Sequence, residues 1–556
     1  LDLAPFDCGQ FPDKVRTTPR TFLSSLPYKT QSLFPRQDRG TPLLAVVIAL
    51  LVALFASLYE LLPLYAAYRL LRNDTHTPSA QWKLGLLLSI FCILGFFLRG
   101  IVFLCMVALV LGYLLPQIRR LFTHRSARSL WAGLLLPLAL FPALWFLAAG
   151  GFGRLSEYLV QYPYLFLSSG SAALYPRNIP WMIGLGGLGL VALPFVALKH
   201  HTLPQKFALM GLLAVLFKYA FTREAPAHLQ PLLVTLLALG AYFGLGTHRP
   251  AFGFSVLIAL FFGLHSLYSF GPWMPKNMAV NPIYWRPSKA PLLDPKVADI
   301  HDLPDDWRAE IEDAVCDSYP YDFLYQAAYG LTPQWRWVPQ SYVDAHPALD
   351  RHTARLFAEE GASFLLWHSA GNQAHNLQRF VSLNGQYLPN VEPEVFRALL
   401  LHYAPIESEP KVLLLERQAS SVPVVSERRV ESRRIRLNEE IPVGTSIHSV
   451  KFTLNLSFWG RLRSLLYKEP SLFVVYRLDD DTRIRFRLNR HQTPQGVWVN
   501  PYFDHPTQFG RKVVSLQFET AHAKSYSEFV LIDLIEQNWP HPLTLRWPFL
   551  TSTVSP

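Results

Sequence analysis

The sequence predicts a polytopic helical membrane bundle of about seven or eight spans, followed by an extracytoplasmic α/β domain and a C-terminal antiparallel β-sandwich. Three observations predict it. Long apolar runs fill the first half and then stop, Lys and Arg gather in alternate loops between them, and the second half passes from mixed patterning to strict two-residue alternation. A chain of 556 residues that is 51 % hydrophobic and 16 % charged leans away from an ordinary soluble enzyme.

The runs at 43–68 and 84–115 each exceed the roughly 20 residues that cross a bilayer as helix. Others follow at 130–150, 181–198, 207–221, 229–246 and 251–268. Gly95, Arg99 and Gly100 interrupt the second run. It is either one long helix carrying a buried Arg or two short helices meeting at Arg99. An Arg at mid-membrane costs about 2.5–3.5 kcal/mol and needs a partner or a wet cavity. Glu60 is the candidate partner, in a brace or beside a substrate.

A net charge of +11 would suggest nucleic acid in a soluble chain, but in a membrane protein the cations decide which loops stay in the cytoplasm. No nucleic-acid partner is expected. With one long second helix, the basic side holds 1–42, 116–129, 199–206 and 247–250; with two short helices it holds 69–83 in place of the tail. Either way the C-terminal domain falls outside the cell membrane. Cys92 and Cys105 lie in a span as small apolar residues, and Cys8 and Cys316 pair only if both face an oxidising side. The chain begins with Leu, as a processed protein or a fragment does.

The organisation expected is a polar tail or loop remnant at 1–42, a helical domain at 43–270, a neck at 271–295, an α/β domain at 296–419 and a sandwich at 420–556. Strands are expected at 362–367 and 411–416 and helices at 347–360 and 394–403; in the last domain strands are expected at 447–458, 471–478, 482–489, 512–519 and 528–536. Asp479, Asp480 and Asp481 form a hairpin turn in this scheme. His352, His368, His375 and His402 have no zinc spacing, and no phosphate-binding glycine loop or hydrolase nucleophile motif occurs.

Lys218, Arg223 and His228 cluster where one span ends and the next begins. They either pair with the phosphates of a lipid-linked substrate or snorkel among headgroups. Loop 151–180 combines Tyr158, Tyr162, Tyr164 and Tyr175 with Arg154, Glu157 and Arg177. That composition suits sugar faces and hydroxyls, and suits an interfacial aromatic belt equally.

In the outer part, Cys316 to Asp322 reads Cys-Asp-Ser-Tyr-Pro-Tyr-Asp, followed by Gly330-Leu331, Pro339-Gln340-Ser341-Tyr342 and Leu349-Asp350, with a closing strand Val412-Leu413-Leu414-Leu415-Glu416-Arg417. In the apolar half, Phe217-Lys218-Tyr219-Ala220-Phe221-Thr222-Arg223 precedes His228. These segments resemble a group of bacterial membrane proteins related to GT-C glycosyltransferases. The apolar match departs from the group's signature: Ala220 replaces a Gly, and Glu224-Ala225-Pro226-Ala227 stands where His-Asp-Gly is usual.

The resemblance implies an inner-membrane protein of cell-surface polysaccharide or glycolipid assembly that takes a sugar from a polyprenyl-phosphate donor on the outer face. Lys218 and Arg223 would hold the phosphate. A carboxylate in the first outer loop would act as base, for which Asp7 is the candidate, with Asp2 and Asp13 behind it. A divalent metal is left open as cofactor. The alternative is a non-catalytic membrane subunit whose outer domains bind a protein partner or a glycan.

Overall fold

The computed structural model describes most of residues 58–270 and 303–539, with little of 153–179 and gaps chiefly at 72–76, 119–123, 321–323, 337–340, 342–345, 369–380 and 419–424. The first part is helical: α1 (Leu58–Leu71), α2 (Pro78–Leu98), α3 (Gly100–Leu114), α4 (Arg125–Ala149), α5 (Pro180–Ala197), α6 (Leu203–Arg223), α7 (Pro226–Leu245) and α8 (Arg249–Phe270). Two of these are long and apolar enough to cross a membrane, over Pro78–Gly95 at mean hydropathy 1.3 and Ala127–Leu147 at 2.0.

The interrupted second run forms two helices, not one. α2 and α3 meet at position 99 and fold back so closely that a side chain at Gly95 would run into the backbone of Phe103. Arg99 itself lies outside the described residues. Small residues likewise set the other crossings. Gly85 of α2 and Gly133 of α4 press on each other's helix backbone, and Gly112 of α3 and Gly211 of α6 do the same. Their apolar neighbours Met106, Leu109, Leu212 and Leu213 form the shared core.

The second part opens with α9 (Asp305–Ile311), β1 (Val315–Tyr319), α10 (Leu324–Tyr329), β2 (Thr332–Pro333), α11 (Pro347–Arg355) and β3 (Phe364–His368). After β4 (Ser382–Leu383) and β5 (Gln386–Tyr387) come α12 (Leu388–Val391), α13 (Pro393–His402), β6 (Tyr403–Ser408) and β7 (Val412–Arg417). A five-stranded sheet runs β2-β1-β3-β7-β6, parallel through β2, β1 and β3 and antiparallel beyond. Trp307 and Tyr325 pack on one face of it with Cys316 and Leu414; Phe357, Phe396 and Leu399 pack on the other with Tyr319 and Trp367. This α/β layer has the expected strands and helices within a few residues.

The remaining strands are β8 (Ser426–Arg436), β9 (Glu440–Pro442), β10 (Ser449–Phe452), β11 (Phe473–Leu478), β12 (Arg483–Arg487), β13 (Val497–Trp498), β14 (Tyr502–His505), β15 (Gln508–Arg511), β16 (Val513–Glu519) and β17 (Phe529–Asn538). A four-stranded antiparallel sheet, β13-β10-β17-β8, faces a six-stranded one, β4-β5-β12-β11-β16-β9. Phe452 and Phe518, 4.4 Å apart between ring centroids, meet between them.

The second sheet corrects the expectation of a wholly antiparallel sandwich. β5 pairs parallel with β12, and the Arg487 N–H donates to the Gly385 carbonyl at 2.7 Å. The expected strand 447–458 is confined to Ser449–Phe452, and Phe458 opens a helix instead, α14 (Phe458–Leu466), with Ser457 as its N-cap. The Asp479–Asp481 turn is as expected: Asp481 has φ of 61° and Asp480 accepts from the Thr482 N–H at 3.0 Å.

Candidate functional site

The sequence of α5, Trp-Met-Ile-Gly-Leu-Gly-Gly-Leu-Gly-Leu, puts glycines on two faces. A side chain at Gly186 would run into the Phe262 ring of α8, and one at Gly189 would press on Ile258 at 3.0 Å. Gly184 opens on empty space, and Gly187 lies 3.4 Å, at its missing Cβ, from the Phe217 ring of α6. One pair of glycines packs helices while the other leaves a groove.

That groove is part of a cavity of about 780 Å³, within the size range of small-molecule sites. Its floor and one wall are Ile183, Leu190 and Val191 of α5 with Met210, Leu213 and Phe217 of α6. From Met210 to Lys218 it follows α6 for about 12 Å, at about 1.5 Å per residue. The other wall comes from the sandwich: Arg463, Leu465 and Leu466 of α14, then Tyr467, Lys468, Ser471 and His522.

Lys218 joins the two walls. Its Nζ donates to the carbonyl of Tyr467 at 2.6 Å and to that of Ser464, two of the carbonyls left without helical partners at the C-terminus of α14. Lys468 Nζ stands 4.9 Å from the centre of the Tyr467 ring, and the Arg463 guanidinium 5.6 Å from it. Burial, and then the charge of Arg463, push the His522 imidazole below its usual value. Arg463, Lys468 and Lys218 therefore carry the positive charge of the site.

No Asp or Glu occurs among the described residues lining the cavity. The carboxylate next along the chain, Glu469, turns to Arg490 and to His491 Nε2 at 3.7 Å. Burial would raise its pKa, but the hydrogen bond from His491 and the charge of Arg490 hold it below the usual carboxylate range. An apolar groove with a cationic end accepts an amphiphile with an anionic head. Among the described residues no group of His, Cys, Asp and Glu is placed to hold a metal.

Of the residues singled out from sequence, Lys218 is in this cavity. Arg223 ends α6, and its side chain lies outside the described residues, as do Asp7, Arg154, Glu157 and Arg177. His228 opens α7 and stacks on Tyr219 at 4.6 Å, outside the lining. Tyr164, from the aromatic loop, stacks on His346 of the α/β layer at 4.5 Å, a second tie between the two halves.

The motif residues of the second part turn inward. Asp317 and Arg336 form an ion pair at 3.0 Å with both side chains fully buried; Arg336 also donates to the Ser318 carbonyl at 2.6 Å. The Ser341 hydroxyl donates to the Pro320 carbonyl at 2.7 Å, and Asp350 accepts from the Glu394 and Val395 N–H groups at the start of α13. The carboxyl ends of β1 and β3 are where an open parallel sheet usually binds ligands. Here Arg336 and Ser341 bond the chain to itself at that edge.

Sequence reasoning missed Arg463, Lys468 and His522, which lie between the strands expected for the last domain. The signal was available: Phe-Trp-Gly-Arg-Leu-Arg-Ser-Leu-Leu after a Ser has helical period and a cap. Compared with known proteins, the chain matches no family model, no curated protein and no solved structure.

Proposed function

We propose that this chain is an integral membrane protein that holds an anionic lipid at the seam between a membrane-spanning bundle and an extracytoplasmic region. The polyprenyl-phosphate-linked sugars of cell-surface polysaccharide or glycolipid assembly are the members of that class implied by the resemblance. The observation that carries the reading is the cavity, apolar along α5 and α6 and cationic at Arg463, Lys468 and Lys218. A bilayer setting is supported by the outward surface: only 25 % of the Ala127–Leu147 window is buried, and Leu147, Leu188 and Trp181 are 78 %, 69 % and 61 % exposed. Water would penalise such a surface.

The site favours holding over turnover. Transfer of a sugar needs a base, and the described residues of the cavity lining include no carboxylate; Asp7, the candidate for that role, lies outside the described residues. The non-catalytic subunit therefore remains the second reading, with the lipid as the ligand that the bundle presents.

The test is binding of a short-chain polyprenyl phosphate, against the neutral polyprenol, to the full chain in nanodiscs by native mass spectrometry. Retention of the phosphate at least tenfold above the alcohol, and its loss in a Gly184→Leu/Gly187→Leu protein, is the expected result. Equal retention of the two would remove the anionic-lipid reading.

A further inference from the structure

We infer that α14 is an in-plane membrane helix, lying in the headgroup layer of the outer leaflet and setting the mouth of the cavity at that depth. The inference rests on the membrane-spanning reading of the helical half, but not on what the cavity holds.

The nine residues of α14 make about two and a half helical turns. At about 100° per residue, Phe458, Trp459, Leu462, Leu465 and Leu466 fall in one stripe roughly 120° wide. Four of them are among the most exposed apolar side chains of the protein: Phe458 69 %, Trp459 68 %, Leu465 74 % and Leu466 60 %. The opposite face is Gly460, set so tightly against the Ser525 carbonyl that no side chain fits. The sandwich thus holds the helix by its glycine face and turns its large apolar side chains away. Arg461 and Arg463 flank the stripe on either side. A helix with an aromatic and aliphatic stripe bordered by Arg fits a surface that is apolar below and anionic above.

Its height is fixed independently. Lys218 ties the last turn of α14 to a point five residues before Arg223, the end of α6, hence about 7.5 Å inside the end of that helix. Leu465 and Leu466 share the cavity with Leu188 and Val191 of α5, whose own exposed surfaces run on outward. The stripe on α14 is continuous with the apolar flank of α5. The same sheet of lipid that wets one meets the other.

The experiment uses the full chain in liposomes of phosphatidylglycerol and phosphatidylethanolamine. A Cys8→Ser background leaves Cys92, Cys105 and Cys316, all buried. An environment-sensitive thiol probe is placed in turn at Trp459→Cys, Leu465→Cys, Leu188→Cys and Leu531→Cys, the last an exposed position on β17. The expected result is quenching at 459 and 465 by lipids spin-labelled near the headgroup, at least threefold above quenching by aqueous iodide. Position 531 should show the reverse order, and position 188 should respond to a deep-chain label.

Iodide quenching at 459 and 465 equal to that at 531 would place α14 in water and overturn the proposal. Protection of both from iodide and from lipid labels alike would mean that a second copy or another protein covers the stripe, and would also overturn it. Loss of the deep-chain signal at 188 would instead remove the membrane-spanning reading itself.

Discussion

Lys218 and Tyr467, 249 positions apart, are joined by a 2.6 Å hydrogen bond from the Lys ammonium to the Tyr carbonyl. Since the Ser464 carbonyl accepts from the same ammonium, one side chain of the helical half caps a helix of the sandwich.

Lys218→Met should therefore loosen α14 first. Two carbonyls lose a charged donor, at about 1–3 kcal/mol, with some of the cost offset where water reaches them. Hydrogen–deuterium exchange across 458–468 should quicken while the core strand β11 is unchanged. Equal protection in both proteins would mean that Lys218 is not the tie.

Glycines of α5 should divide by face. Gly184→Leu, pointing into open space, should leave thermal stability near that of the wild type. Gly186→Leu must displace the Phe262 ring and should cost about 1–3 kcal/mol. Melting of the two proteins in the same detergent distinguishes them, and a large loss for Gly184→Leu would contradict the open groove.

The buried pair Asp317 and Arg336 should be costly to break and cheap to replace. Arg336→Met strands a carboxylate in the core, at about 3–5 kcal/mol, whereas a well-packed apolar pair at both positions should come close to the wild type. A double-mutant cycle on denaturation midpoints reads the difference.

Acid should act on that pair in an unusual direction. Burial lifts the Asp317 carboxyl from 3.8 to about 6, with Arg336 and the Ser318 N–H opposing. Between those values the folded chain binds more protons than the unfolded one, so this residue's share of stability is complete below pH 3.8 and is lost as pH rises through 6. Asp350, raised by burial and by Glu392, acts the same way. Asp317→Asn should flatten the fall in stability between pH 4 and 6. An unchanged slope would show that the residue keeps its ordinary value when folded.

Asp350→Ala should unwind the start of α13, because the carboxyl accepts from the Glu394 and Val395 N–H groups. Loss of such a cap costs about 0.5–2 kcal/mol. Faster exchange at those two amides is the direct readout.

How far the sequence told this in advance depended on where the signal was local. The apolar runs, the α/β strands and the Asp479–Asp481 turn were legible because period and turn chemistry are written in neighbouring residues. The break at position 99 stayed ambiguous, since Gly95, Arg99 and Gly100 permit a kink or a turn and only the packing of Gly95 against Phe103 chooses. Lys218 was legible as a cation at a helix end, but not its partners, which lie in α14 nearly 250 residues away. Asp317, Ser341 and Asp350 lie in a turn-rich stretch whose composition favours packing and backbone hydrogen bonding, and they are buried fasteners. Which groups they fasten is set by the fold rather than by residue type.

The strand β5 decides how the second half of the chain can be divided. It leaves the α/β layer, pairs with β12 and brings Tyr387 to stack against Phe486 and Tyr502. A cut near residue 420, where the change in patterning suggests a boundary, would strip the six-stranded sheet of one edge and bare those rings. The α/β layer and the sandwich are thus stitched into one folding unit by the chain that passes through β4 and β5, and neither keeps its full core when separated from the other.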